Sequence, residues 1–117
     1  MENEKRQRRS ERFELDIPVK ITIFRGQRSR VMGEGCDFSK NGMRLFLTLA
    51  LDTGAPLLLE FVLPYTSTPM VIRGVVRNQR GLHYGIEFLG MSPYQQQVLE
   101  RNCTVLDLAF KRGFATS

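Results

Sequence analysis

Apolar and polar residues alternate strictly near the start of the chain. Phe13, Leu15, Ile17, Val19, Ile21 and Ile23 fall on one parity, with Glu14, Asp16, Pro18, Lys20 and Thr22 on the other. A period of two over that length predicts a strand with one buried face and one wet face. Pro18 lacks a backbone N–H, so it marks an edge position or a bulge within that strand. A turn near Gly26 leads to a second strand at about 28–37. Asn41-Gly42 then reads as a hairpin turn, because Gly tolerates positive φ and Asn often adopts it. A third strand is predicted at about 43–48, followed by a longer connection at Asp52-Thr53-Gly54 and Pro56. Three further strands are predicted at about 57–63, 70–78 and 83–89. The loop from Pro64 to Pro69 and the turn Gln79-Arg80-Gly81 separate them.

After residue 91 the period changes. Ser92-Pro93-Tyr94-Gln95 has the form of a helix start: a hydroxyl cap, Pro at the first helical position, and Gln three residues after the cap. Leu99, Cys103, Leu106 and Phe110 recur at helical spacing, and Gly113 is a natural stop. Successive strands joined by short turns favour antiparallel pairing. Closing such strands into a barrel removes exposed edges, and an amphipathic helix can cover one open end. The predicted fold is therefore mainly β: a six-stranded antiparallel β-barrel with an N-terminal arm and a C-terminal α-helix. Residues 1–12 form the basic arm, 13–113 the barrel and helix, and 114–117 a tail.

A length of 117 residues suits one domain with one core, and 42% hydrophobic with 25% charged residues is ordinary globular composition. The net charge is +5, of which the arm carries +2 through Lys5, Arg6, Arg8, Arg9 and Arg12 against Glu2, Glu4 and Glu11. Such a balance favours anionic partners without choosing among them. Cys36 and Cys103 have no metal-ligand spacing and are expected to act as small buried hydrophobes. No secretory apolar segment follows the charged N-terminus, and no apolar run approaches the roughly 18 residues of a membrane span. A cytoplasmic protein with reduced thiols and no membrane insertion is expected.

Two short motifs carry the candidate chemistry. The first is Arg8-Arg9-Ser10-Glu11-Arg12, just ahead of the first alternation. Taken alone it is a solvated basic tail, a non-specific phosphate contact, or a grip on a small phosphorylated ligand. The second is Asp37-Phe38-Ser39-Lys40-Asn41-Gly42. Taken alone it is turn chemistry, with local side-chain hydrogen bonds from Asp, Ser and Asn. Read jointly, the two fit a guanine nucleotide. Arginine forks suit phosphates and the guanine O6/N7 edge, while Asp37 and Ser39 offer acceptors to its amide N–H groups. Asp37 and Ser39 share side-chain parity, so both can face one ligand. The first hairpin brings both motifs to one end. His83, the single histidine, stands in no constellation with a nucleophile, and no phosphate-cradling glycine loop or nucleophile elbow is present. An enzyme is not expected.

These residues resemble the PilZ-domain family of cyclic di-GMP receptors. The resemblance rests on Arg8-x-x-x-Arg12 with Phe13, then Asp37-x-Ser39-x-x-Gly42 one hairpin later. It extends to Gly74-Val75-Val76-Arg77, to Tyr84-Gly85-Ile86-Glu87-Phe88 and to the closing helix from Ser92. It implies a six-stranded barrel with a C-terminal helix, and cyclic di-GMP bound on the outer surface between arm and turn. Carried over by position, Arg8 and Arg12 contact phosphate and guanine, Arg9 assists, Asp37 and Ser39 bind a guanine base, and Gly42 shapes the turn. Arg77 is a possible extension of the anion site. The expected function is a receptor that orders its arm on ligand binding and signals to a downstream protein partner. The alternative is a nucleotide-independent adaptor in motility or pilus assembly. Binding of nucleic acid is the third reading and the less expected one, since the aromatics have buried-strand parity rather than forming a stacking platform.

Overall fold

The structure is a computed structural model that describes residues 13–64 and 66–111. Six strands follow in order: β1 (Phe13–Arg25), β2 (Gln27–Ser39), β3 (Gly42–Phe46), β4 (Pro56–Val62), β5 (Pro69–Arg80) and β6 (His83–Leu89). One helix, α1 (Pro93–Lys111), closes the described chain. The strands form a closed antiparallel barrel in the order β1-β2-β3-β6-β5-β4. Two three-stranded meanders, β1-β2-β3 and β4-β5-β6, thus meet at two seams, β3–β6 and β1–β4. The mainly-β barrel with a C-terminal helix is as the sequence pattern predicts.

The alternation sorts the side chains as expected. Val19, Ile21 and Ile23 of β1 are 0–2% exposed and meet Leu57, Leu59, Met43, Leu45, Ile72, Val76, Tyr84 and Ile86 inside the barrel. Each such burial contributes about 1.5–3 kcal/mol. The two barrel ends are closed differently. At one end, Tyr84 is fully buried and its hydroxyl donates to the Leu49 carbonyl (2.9 Å) and accepts from the Leu51 N–H (3.1 Å). This holds the 47–55 loop over the core with Leu47 and Leu51 buried. At the other end lies α1, whose Leu99 is buried in the same core.

The helix starts as its sequence predicts. Ser92 Oγ accepts from the Gln95 N–H (3.1 Å) and Gln95 Oε1 accepts from the Ser92 N–H (3.0 Å), a reciprocal capping box. Gln95 also donates to the Val71 carbonyl, which ties the cap to β5 (2.8 Å). Asn102, nearly fully buried, donates to the Pro64 carbonyl and so ties the helix to the β4–β5 loop.

Three details differ from a simple alternating barrel. Pro18 is in register with Glu34 of β2, but β4 pairs β1 only at residues 20–23. Pro18 therefore sits on an unpaired edge of β1, next to a bulge between Glu14 and Ile17. Secondly, Asn41-Gly42 is not the hairpin turn. Lys40 and Asn41 form it, Ser39 pairs with Gly42, and Gly42 opens β3 without a positive φ. Finally, closure of the ring does not remove every edge. β2 pairs with β3 only from Glu34 onward, so residues 27–33 have β1 as their sole strand partner among the described residues.

Candidate functional site

The Asp37 to Gly42 segment is aimed by a bulge. Gly33 and Gly35 point inward, since a Cβ at Gly33 would meet Ile21 and one at Gly35 would meet Ile17 and Val19. Strict alternation would then bury Asp37 and expose Phe38. Instead the pairing to β3 shifts between Gly35↔Leu45 and Asp37↔Arg44, which inserts Cys36 as an extra residue. The inserted residue reverses parity. Phe38 goes into the core at 1% exposure, and Asp37 and Ser39 turn to the outer face.

Asp37 is held there by its cross-strand neighbour. Arg44 Nε donates to Asp37 Oδ2 at 3.0 Å, with the Asp37 side chain 12% exposed. A second nitrogen of Arg44, Nη1, donates to Nδ1 of His83 at 3.0 Å, which leaves the imidazole proton on Nε2. The His83 ring packs on Phe46 with centroids 5.3 Å apart. A polar row, Asp37–Arg44–His83, thus runs across β2, β3 and β6 on the outer wall. His83 is an acceptor for Arg44 in this arrangement. The sequence reading missed Arg44; its signal was a position two residues after Gly42, on the face opposite the buried Met43 and Leu45.

Ser39 is 2% exposed, and its Oγ accepts the Asn41 N–H at 3.2 Å, a local turn contact. Gly42 is required by close approach. A Cβ there would strike the carbonyl oxygen of Ile86 across the β3–β6 seam. The expected role of Gly42 in turn conformation is thus replaced by a steric one. Arg77 is the extra residue of a third bulge, between Val76 and Asn78. Its Nε donates to Glu87 Oε1 at 2.6 Å, and Glu87 lies opposite Gly42. Arg77 therefore sits on the outer face one strand beyond the seam, engaged in an exposed ion pair.

Arg8, Arg9 and Arg12 lie outside the described residues. The pairing nevertheless fixes where the arm joins the barrel: Phe13 is in register with Phe38, and Glu14 with Asp37. The chain enters β1 beside the acceptor-bearing segment. Lys40, in the turn, reaches Glu100 of α1 at 3.6 Å, so the segment also borders the helix.

Both cysteines are free thiols and partly buried. Burial pushes the Cys36 thiol up, opposed in part by the Arg44 charge. Burial pushes Cys103 up to about 11. No cluster of His, Cys, Asp and Glu among the described residues could hold a metal, and no described helix is long and apolar enough to cross a membrane.

A family profile, the PilZ domain, matches residues 6–104. The chain belongs to the PilZ domain family. No curated protein sequence matches it. Among solved structures, this PilZ domain is similar to that of CeSA from a cellulose-synthesizing bacterium, with 18% identity and a TM-score of 0.65 over 84% of this chain and 99% of that one. It is also similar to the PilZ domain of YcgR from Escherichia coli with c-di-GMP, with 16% identity and a TM-score of 0.70 over 94% of this chain and 99% of that one. The MrkH–c-di-GMP complex of K. pneumonia shows 19% identity and a TM-score of 0.70 over 91% of this chain. This PilZ chain spans about half of MrkH, covering 54% of it.

Proposed function

We propose that this PilZ domain binds cyclic di-GMP between the arginine arm and the outward face of β2, and that binding orders residues 1–12 against the barrel. One observation carries the reading: the register Phe13↔Phe38 and Glu14↔Asp37 brings the residue after Arg12 beside Asp37 and Ser39. Arg8 and Arg12 supply forks for the two phosphates and a guanine edge, with Arg9 assisting. Asp37, steadied by Arg44, accepts from the guanine N1–H and exocyclic amine, and the Ser39 hydroxyl assists. Folding the arm costs entropy, so affinity depends steeply on these few contacts. An ordered arm changes the surface shown to a protein partner, a switch by ordering of a segment. The Lys40–Glu100 contact offers a route by which α1 feels the change. The role is that of a receptor and not of a catalyst.

Calorimetric titration tests it. Cyclic di-GMP binds in the micromolar range or tighter, GTP does not, and the Arg8→Ala/Arg12→Ala variant loses binding. Trypsin cleavage within residues 1–12 slows when the ligand is present. A folded sample that ignores cyclic di-GMP would leave the nucleotide-independent adaptor in its place.

A further inference from the structure

The charge of this chain is concentrated in a place the proposed ligand site does not use. Residues 17–33 hold Lys20, Arg25, Arg28 and Arg30 and no acidic residue, a local charge of +4 out of +5 overall. With the arm at +2, the rest of the chain nets −1. This segment is the β1–β2 hairpin. In register, Lys20 faces Met32, Thr22 faces Arg30 and Phe24 faces Arg28, so three cations share the outer face with two large apolar side chains. Phe24 is 45% exposed and Met32 58%. The Arg28 guanidinium covers the Phe24 ring at 5.7 Å.

The same hairpin carries the open edge. Over residues 27–33 β2 bonds to β1 alone, and no loop backbone among the described residues bonds to its far side. Where β3 leaves β2, a groove of about 520 Å³ opens at the end of this edge, its lining including Pro18, Met32, Gly33, Glu34, Phe46 and Leu47.

We propose that residues 27–33 form a docking edge that takes an acidic, extended segment of a partner protein as an added strand. A row of backbone donors and acceptors is matched by another extended backbone. Carboxylates at alternate positions of that segment reach Arg28 and Arg30 across the new pair, and an apolar side chain of the other parity enters the groove beside Gly33 and Leu47. The charge selects the occupant. A second copy would bring +4 against +4, and like charges along an edge oppose self-pairing. A nucleic-acid strand would meet the cations but leave the backbone edge unmatched, and the Phe24 face is already covered by Arg28. The inference does not depend on nucleotide binding.

The test uses the full chain and a fluorescent eight-residue peptide alternating Glu with Val. Anisotropy reads affinity, and amide hydrogen exchange reads strand addition. The expected result is saturable binding, slowed exchange at alternate amides within residues 27–33, and affinity at least about tenfold weaker in Arg28→Glu/Arg30→Glu. Both arginines are exposed, so an unchanged melting temperature certifies that variant's fold. The same peptide N-methylated at alternate residues does not bind. Equal binding of the N-methylated peptide, no protection at residues 27–33, or full affinity in the charge-reversed variant would each overturn the proposal. So would tight binding of single-stranded DNA or phosphatidylglycerol vesicles with none of the peptide.

Discussion

A methyl group on Gly42 would run into the Ile86 carbonyl, and backbone cannot move aside as a side chain can. Gly42→Ala is expected to destabilise the fold by about 3 kcal/mol, read as a lower urea midpoint with little change in slope. Gly42 was legible in the sequence as a special residue, but for the wrong reason. Its neighbours suggested a turn, whereas the constraint comes from residue 86, which no local window contains. Arg44 is a second such case. Its partners Asp37 and His83 lie on two other strands, so its task is invisible before the register is known. If Arg44 positions the Asp37 carboxylate, Arg44→Ala should weaken cyclic di-GMP binding by about tenfold, roughly 1.4 kcal/mol, with the barrel's melting temperature little altered. Arg44→Lys should restore only part of this, since an ammonium cannot serve Asp37 and His83 through one planar fork. The cysteines give a pH dependence. Burial raises both thiols in the folded state, so the native protein holds these protons longer than the unfolded chain. Their contribution to stability is intact below pH 9 and is lost as pH rises toward about 11, the value reached by Cys103. Melting curves from pH 8 to 11 should fall more steeply for the native chain than for Cys103→Ala. Iodoacetamide should label the folded protein slowly at neutral pH.

Elements were more legible than residues. Alternation placed the first strand, turn and loop signals bounded the other five, and the Ser92–Gln95 cap and Pro93 placed the helix start, because each signal sits within a few residues of its consequence. Pro18 marked the irregular stretch of β1, but the bulges of β2 and β5 were not legible. An inserted Cys36 looks like any strand residue, yet it decides that Phe38 is inside and Asp37 outside. Parity counted from β1 alone gives no hint of it. The 47–55 loop shows a related limit: its composition marks it as a connection, but its closure depends on the Tyr84 hydroxyl from β6. Tyr84→Phe removes the acceptor of the buried Leu51 N–H and should cost about 2 kcal/mol. Hydrogen exchange should quicken across residues 47–55 well before the strands respond, if that hydroxyl is the loop's main tether.

For the whole molecule, the division of labour between the ends of the barrel matters more than the barrel itself. The 47–55 loop closes one end of the barrel through the Tyr84 hydroxyl, while α1 closes the other, where Lys40 meets Glu100. The β1–β2 hairpin extends past the ring and carries most of the local positive charge. The candidate site borders the helix through Lys40 and Glu100, whereas residues 27–33 pair only with β1 among the described residues.

The two-seam closure has a consequence in time. Each meander can zip from its own short turns, and both are built of contacts near in sequence. The seams are different: Lys20 must find Glu60, and Gly42 must find Glu87. Chain entropy is spent before either seam rewards it, so seam formation sets the speed of folding. In stopped-flow refolding, a destabilising change at the β3–β6 seam such as Gly42→Ala should slow the folding arm of the chevron. One confined to the Tyr84 loop tether should mainly speed unfolding. The barrel would then be a latch that two preassembled sheets must find, and slow to spring once they have found it.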